Sequence, residues 1–278
     1  MRNRVAETII AVFAVVALSS TVLAQTPPRP RLKDGYVAEG VPKMPNPPGP
    51  APKRDLTGAW VGPQKFSRDP MPPMTPVGEA RFKLNKPRNA VGLAATNDPF
   101  ATCDPLGFPR DLLNQSVEFR GGMWFEPVPN RMIIMKQQQR VWREVWMDGR
   151  ELPKDVDARG YPDSRFYGYS IGHWDGDYTF VVDTTGLDER TWLDEAGHAH
   201  SKNAHIEERY TRTDQYNIEL TATLDDPKFY TKPWVFLKGN YYWMKAQDFE
   251  EIFCTPSEAI EYRDTLATPA GNGSLSAK

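Results

Sequence analysis

Histidine, carboxylate and guanidinium side chains crowd into one stretch, Gly172–Arg212, which holds all four histidines of the chain, at 173, 198, 200 and 205. An imidazole held by a carboxylate beside a guanidinium is the makeup of a general base next to an anion-stabilising group. His205, oriented by Asp194, Asp183 or Glu208, with Arg209 close by and His200 as a second acid or base, would suit proton abstraction, elimination or hydrolysis with no cofactor. A metal site is the second chemistry. His198 and His200 would share one face of an extended segment, with His205 or Glu207 as third ligand for zinc or iron. The spacing is poor for it: there is no His-Glu-x-x-His, and the acids at 207 and 208 come too late after the His-x-His for a cupin. A third constellation, Gly168-Tyr-Ser170-Ile-Gly172, has the letters of a hydrolase elbow. Such an elbow needs a helix after the serine, and here a Trp and an Asp-Gly turn follow, leaving Ser170 as a pocket residue. The plain alternative is structural: Glu208 and Arg209 pair with neighbouring strands, and His200 fixes a loop.

The elements that must hold these groups read as strands. In His205–Arg212 side chains alternate, with His205, Glu207, Arg209 and Thr211 on one face and Ile206, Glu208, Tyr210 and Arg212 on the other. Neither face is uniformly apolar, so at least one ionisable group faces the interior and needs a partner or a shifted pKa. The segment 140–148 alternates likewise, Val141, Arg143, Val145 and Met147 against Trp142, Glu144 and Trp146. Further strands are expected at 56–61, 117–120, 123–126, 131–136, 166–174, 178–184, 217–224, 235–237, 241–246 and 249–254. Asp148-Gly149 and Asp175-Gly176 mark turns. Thr75-Pro76 opens a short helix running to Leu84, and 87–113 reads as irregular. Hairpin order implies antiparallel pairing, and a long meander must close or stack to protect its edges. The expected fold is therefore all-β: a single antiparallel, calycin-like (lipocalin-type) β-barrel of about ten strands, with a two-sheet sandwich as the alternative.

Composition frames this domain. Arg2 and Arg4 precede an apolar run at 9–18 and 22–23, and Val22-Leu23-Ala24 fits a cleavage site before Gln25. The run is short for a membrane anchor, so the expectation is a periplasmic or secreted protein cleaved after Ala24, its mature chain not stably inserted in a membrane. Residues 25–54 are a proline-rich tether, 55–263 the barrel and 264–278 a frayed tail. A formal net charge of −2, without blocks of like charge, argues against nucleic acid as a partner. The aromatic content of 12% suits a barrel core or a pocket for flat ligands. Most of the aromatic side chains read as core, but Trp192, in a loop, together with Trp146, Tyr169, Ser170 and Asp183, is a candidate ligand contact. In an oxidising compartment Cys103 and Cys254 read as one disulfide, with two buried thiols as the other possibility.

Several stretches resemble a family of exported bacterial proteins, many of them uncharacterised. They are Asp55–Trp60, Pro73–Ala80, Cys103–Arg110, Trp142–Arg150 and most of 168–234. The family pattern is carried at Gly168-Tyr-Ser-Ile-Gly-His-Trp-Asp-Gly-Asp177, Val182-Asp-Thr-Thr-Gly186, Trp192-Leu-Asp194 and His200-Ser-Lys-Asn-Ala-His205-Ile-Glu-Glu-Arg209. The resemblance implies no particular activity. It selects His200, His205, Glu208 and Arg209 over His173 and His198. Two functions from different classes follow for a small, aromatic or apolar molecule held inside the barrel: a lyase or hydrolase, or a non-catalytic carrier.

Overall fold

The computed structural model describes residues 46–63, 66–113, 122–244 and 253–270. The leader, the tether up to residue 45, the strand expected at 117–120, most of that at 249–254 and the tail from 271 lie outside them. Ten strands form one sheet: β1 Gly58–Val61, β2 Phe66–Ser67, β3 Gly122–Val128, β4 Arg131–Lys136, β5 Trp142–Trp146, β6 Tyr169–Asp175, β7 Thr179–Thr185, β8 His205–Arg212, β9 Asn217–Asp225 and β10 Trp234–Trp243. β1 pairs with both β3 and β10, closing a barrel of all the strands except β2, which adds to the edge of β10. The sandwich alternative is thereby set aside. The residues expected as a strand at 235–237 and, of those expected at 241–246, Tyr241–Trp243 belong to one strand, β10, which absorbs the irregularity as a bulge between Val235 and Leu237, while residues 245 and 246 lie outside the described residues.

The barrel is not purely antiparallel. β5 and β6 run parallel and pair only through Val145 with Ser170 and Trp146 with Ile171. Parallel neighbours need a crossover that returns the chain to the starting end. Residues 147–168 provide it, so the Asp148-Gly149 turn leads into a crossover rather than a hairpin. Asp175-Gly176 does close one, with Asp175 opposite Thr179.

Helix α1, Pro76–Phe82, starts where Thr75 accepts a hydrogen bond from the Gly78 amide, with Pro76 in the first turn. The stretch expected as irregular contains α2 (Arg88–Val91), a 3-10 turn at Pro99–Thr102 and α3 (Arg110–Leu113). Four residues are too few to show a helical period, so composition hides them. Just before the expected tail, α4 (Pro256–Tyr262) continues in a helical turn, Arg263–Ala267, that takes in the first residues of the stretch expected as a frayed tail. Cys103 and Cys254 are joined, their Cα atoms 5.3 Å apart, so the disulfide ties the end of the 3-10 turn to the chain just before α4. The described end of the expected tether lies against the barrel: Gly49 and Gln215 exchange hydrogen bonds of 2.9 and 3.1 Å, and the Arg54 amide donates to the Asp177 carbonyl.

The core fills the barrel with Trp60, Phe125, Ile134, Val145, Phe180, Val182, Ile206, Leu220, Phe236 and Tyr241, each removed from water. Each such aliphatic or aromatic side chain contributes roughly 1.5–3 kcal/mol of transfer free energy. α3 and the segment before it, with Phe108 and Leu112 buried, pack into the same cluster.

Candidate functional site

The strand β8 alternates as its sequence requires: Ile206, Glu208, Tyr210 and Arg212 are buried, and His205, Glu207, Arg209 and Thr211 are not. That alternation separates the expected catalytic group. Glu208 points into the barrel, while His205 and Arg209 stand on the outer face. There His205 Nε2 lies 2.8 Å from Asp183 Oδ1, and Arg209 pairs with Asp175. Asp183 is thus an outer-face partner rather than a pocket residue. His200 is fully buried in the 186–204 loop, its Nε2 2.8 Å from Thr191 Oγ1 and its Nδ1 3.2 Å from the Ser201 carbonyl. Burial pushes its pKa down. His198 Nδ1 is 2.7 Å from Asp194 Oδ2, and its ring stacks on Phe82. The histidines of the metal alternative therefore serve three separate partners. Among the described residues no three His, Cys, Asp or Glu side chains are grouped as a metal site.

Asp194 also accepts from the amides of Ala196 and His198 and from Arg68, so it organises its loop. Burial acts against its charge, but the hydrogen bonds from His198 outweigh it and hold the carboxyl below its usual range. Trp192 is not at a barrel mouth. It is buried, with the Arg110 guanidinium 5.3 Å from its ring, and Arg110 makes a two-pronged pair with Asp98 at 2.6 and 2.9 Å. None of His200, His205, Arg209, Asp183, Asp194 or Trp192 meets Glu208.

What does meet Glu208 comes from other strands. Arg143 on β5 reaches across the interior and donates to both carboxylate oxygens, at 3.2 and 2.7 Å. The same guanidinium donates to Ser170 on β6 and Thr184 on β7, and it lies 3.8 Å from the centre of the Phe108 ring. The Tyr210 hydroxyl donates to Glu208 as well. Burial and the adjacent carboxylate push that phenol far up, so it stays protonated. Burial opposes the charge on Arg143, but Glu208 more than restores it, leaving a permanent cation in the barrel.

Arg143 and Ser170 are also the floor of a cleft of about 470 Å³ that opens where β5 and β6 part. The crossover supplies Arg150, Glu151, Arg165, Phe166 and Tyr167, and the strands supply Trp142, Glu144, Trp146 and Tyr169; of the two carboxylates, Glu144 pairs with Arg131 and Glu151 with Lys154. Three residues expected as ligand contacts, Trp146, Tyr169 and Ser170, are brought together here. Trp146 lies between the guanidinium groups of Arg131 and Arg150, at 4.7 and 3.5 Å from its ring centre. Arg165 covers Tyr169 at 4.2 Å, and the Tyr169 hydroxyl donates to the Asp163 carbonyl. Arg150 is committed to Asp148, whereas Arg165 has no acidic partner among the described residues.

Gly168-Tyr-Ser-Ile-Gly172 acquires a structural meaning at this place. Gly168 turns the chain into β6 with φ of +66°, and a Cβ there would sit 2.6 Å from the Thr185 carbonyl. Ser170 faces inward, and Gly172 leaves room for Val145 and the Phe180 ring. The serine is on a strand with no helix behind it, as its sequence context implied.

Arg143 was legible only as a charge on the Val141–Val145 face, the same kind of signal that singled out Glu208. Other buried ionisable groups carry no motif either. Lys136 is buried on the inner face of β4, two residues beyond Ile134, the cross-strand partner of Arg143. Asp111 on α3 has both carboxyl oxygens shut off from solvent, without a hydrogen-bond partner among the described residues, and so has the Tyr241 hydroxyl. Burial pushes Asp111 up, pulls Lys136 down and pushes Tyr241 up. Comparison with protein-family models, with curated proteins and with solved structures finds no match for this chain.

Proposed function

We propose that this chain is an exported, calycin-like barrel of the family its sequence pattern resembles, and that it binds a small, flat, negatively charged molecule in the cleft between β5 and β6. One observation carries the reading: aromatic walls and guanidinium groups converge on a concave site whose floor is the buried Arg143–Ser170–Glu208 network. Aromatic rings provide area for a flat apolar body, and Arg165, without an acidic partner among the described residues, offers its fork to a carboxylate. On this reading the leader is removed after Ala24, and the protein serves as a periplasmic or secreted carrier.

A catalytic version, a lyase or hydrolase without cofactor, draws its support from the buried acid and amine of Asp111 and Lys136. It does not use His205 as its base, because that imidazole is on the far side of the β8 strand.

The test is a titration of the purified protein with benzoate, phenylacetate and 4-hydroxybenzoate, followed by tryptophan fluorescence. Saturable binding, weakened about tenfold or more by Trp146→Ala and by Arg165→Ala, is the expected result. No saturable binding of any of the three, or binding that both substitutions leave intact, overturns the proposal.

A further inference from the structure

Two hydroxyl groups at the cleft floor share one set of partners. Ser170 Oγ on β6 and Thr184 Oγ1 on β7 lie 2.9 Å apart, and Arg143 Nη2 donates to both, at 3.2 and 3.0 Å. One Nη2 proton serves Glu208 at 2.7 Å, and the other is shared by the two hydroxyls. A guanidinium only donates, so each hydroxyl oxygen is an acceptor here and still brings one proton of its own. One of those two protons is used in the bond between the hydroxyls. The other has no acceptor among the described residues, since the Glu208 oxygens are taken by Arg143 and Tyr210. Burial decides which hydroxyl holds the spare proton. Thr184 is fully removed from water and does not line the cleft, so a spare proton there would be a buried donor with nothing to bind, a costly arrangement. Ser170 does line the cleft, where an incoming molecule can accept the hydrogen bond. Thr184 therefore donates to Ser170. Ser170 Oγ then accepts from Arg143 and from Thr184, which uses both of its lone pairs. What remains to Ser170 is a single O–H, polarised by the cation beside it.

We infer that Ser170 is a specificity-determining residue of the cleft, a donor that cannot accept, and that the ligand carries an acceptor oxygen such as a carbonyl in addition to its carboxylate. The inference rests on the cleft being the ligand site and names a second functional group of the ligand. An aromatic acid bearing a ketone, ester or amide oxygen supplies that acceptor while its ring lies among the aromatic walls and its carboxylate meets Arg165. The same molecule with an alkyl group in place of the carbonyl leaves the Ser170 proton desolvated and unpaired, so the cleft rejects it. Apolar transfer runs the other way. The alkyl group is the less polar of the two, and a cleft without a committed donor would favour it.

The experiment is a calorimetric titration of the purified protein with 3- and 4-acetylbenzoate and with 3- and 4-isopropylbenzoate, which keep the shape and lose the oxygen. The expected result is that at least one acetylbenzoate binds about fivefold or more tighter than its isopropyl counterpart, the effect of one hydrogen bond. In Ser170→Ala that preference should fall below about twofold through weaker binding of the acetyl compound, while benzoate binds within about twofold of the unaltered protein. Circular dichroism confirms that the variant folds. If it does not fold, the ligand pairs on the unaltered protein still decide. Benzoate binding with no preference for either acetyl compound, or a preference that Ser170→Ala leaves in place, overturns the donor role of Ser170 alone. No saturable binding of benzoate or of any of the four compounds overturns the cleft reading with it.

Discussion

Arg143 and Glu208, 65 residues apart in the chain, meet inside the barrel with Nη2 2.7 Å from Oε2, and neither is exposed to solvent. The pair spans the parallel seam of the sheet. It fastens β5 to β8 across β6 and β7 through the Ser170 and Thr184 hydroxyls. Two buried charges are tolerable there because both carboxylate oxygens and both terminal guanidinium nitrogens are hydrogen-bonded, although Arg143 Nε has no partner among the described residues.

Removing one member leaves the other buried and unpaired. Glu208→Ala and Arg143→Met should each lower stability by about 3–5 kcal/mol. The double variant Arg143→Met/Glu208→Leu should lose less than the sum, because no uncompensated charge remains. Urea unfolding of the three variants measures this, and strict additivity would sink the assignment.

The two histidines that β8 and its preceding loop keep apart should act oppositely on stability. The hydrogen bond to Asp183 raises the His205 pKa. Its contribution is therefore fully present below the unfolded value of about 6.5 and is lost as pH rises through the folded value. Burial lowers the His200 pKa, so its contribution is present above about pH 6.5 and is lost as pH falls toward the lowered value. His205→Ala should leave stability at about pH 8 nearly unchanged and fall progressively behind the unaltered protein as pH drops from about 8 to about 6.5, with a constant deficit below that. Urea midpoints measured across that range check it; parallel curves for the two proteins would contradict it. Benzoate binding at neutral pH should not change in His205→Ala, since the imidazole is outside the cleft.

Reducing the Cys103–Cys254 bridge opens a loop of 151 residues in the unfolded chain. The chain-entropy argument gives a loss of roughly 5 kcal/mol as an upper figure. A Cys103→Ser/Cys254→Ser variant should melt lower than the oxidised protein and should match the wild type measured under reducing conditions. Equal melting temperatures with and without reductant would show that the bridge constrains nothing.

Gly168→Ala should be costly beyond its one methyl group. The residue must keep φ at +66°, and its Cβ would press on the Thr185 carbonyl, opposite Tyr169 in the β6–β7 ladder. A loss of about 1–3 kcal/mol is expected, together with weaker ligand binding at the adjoining cleft. Thermal melts and the fluorescence titration test both halves, and a neutral effect on each would remove the explanation for this glycine.

The barrel was largely legible because its signal is repetitive. Alternation in β4, β5 and β8 and the Asp175-Gly176 turn recur along the chain, and closing such a meander is a physical necessity. The parallel β5–β6 pair was not legible, since Asp148-Gly149 has the same composition in a crossover as in a hairpin. For the site, a charge on an apolar face proved the sounder signal. It pointed to Glu208, and the same kind of charge stands, without having been singled out, at Arg143 and at Lys136, which shares the inner face of β4 with Met132 and Ile134. Clustering of histidines in sequence was the weaker one. Period-two geometry sends His205 and Glu208 to opposite faces, and His200 is absorbed in a loop whose next residue, Ser201, binds Asp226 with its amide and hydroxyl. Asp111, on a helix of four residues, and Tyr241, among the apolar and aromatic residues of β10, carry no local pattern that marks them.

The seam between β5 and β6 has a further consequence. With two residue pairs joining those strands, the hydrogen-bonded ladder does not depend on residues 147–168, yet that segment lines one whole side of the cleft. The crossover wall of the cleft and the strand ladder are therefore encoded in different stretches of chain, joined by backbone hydrogen bonds such as those from Phe108 to Phe166 and from Arg165 to Gly186. Exchanging the crossover for one of different length or charge should retune ligand choice on an unaltered frame, as interchangeable loops do on a rigid scaffold.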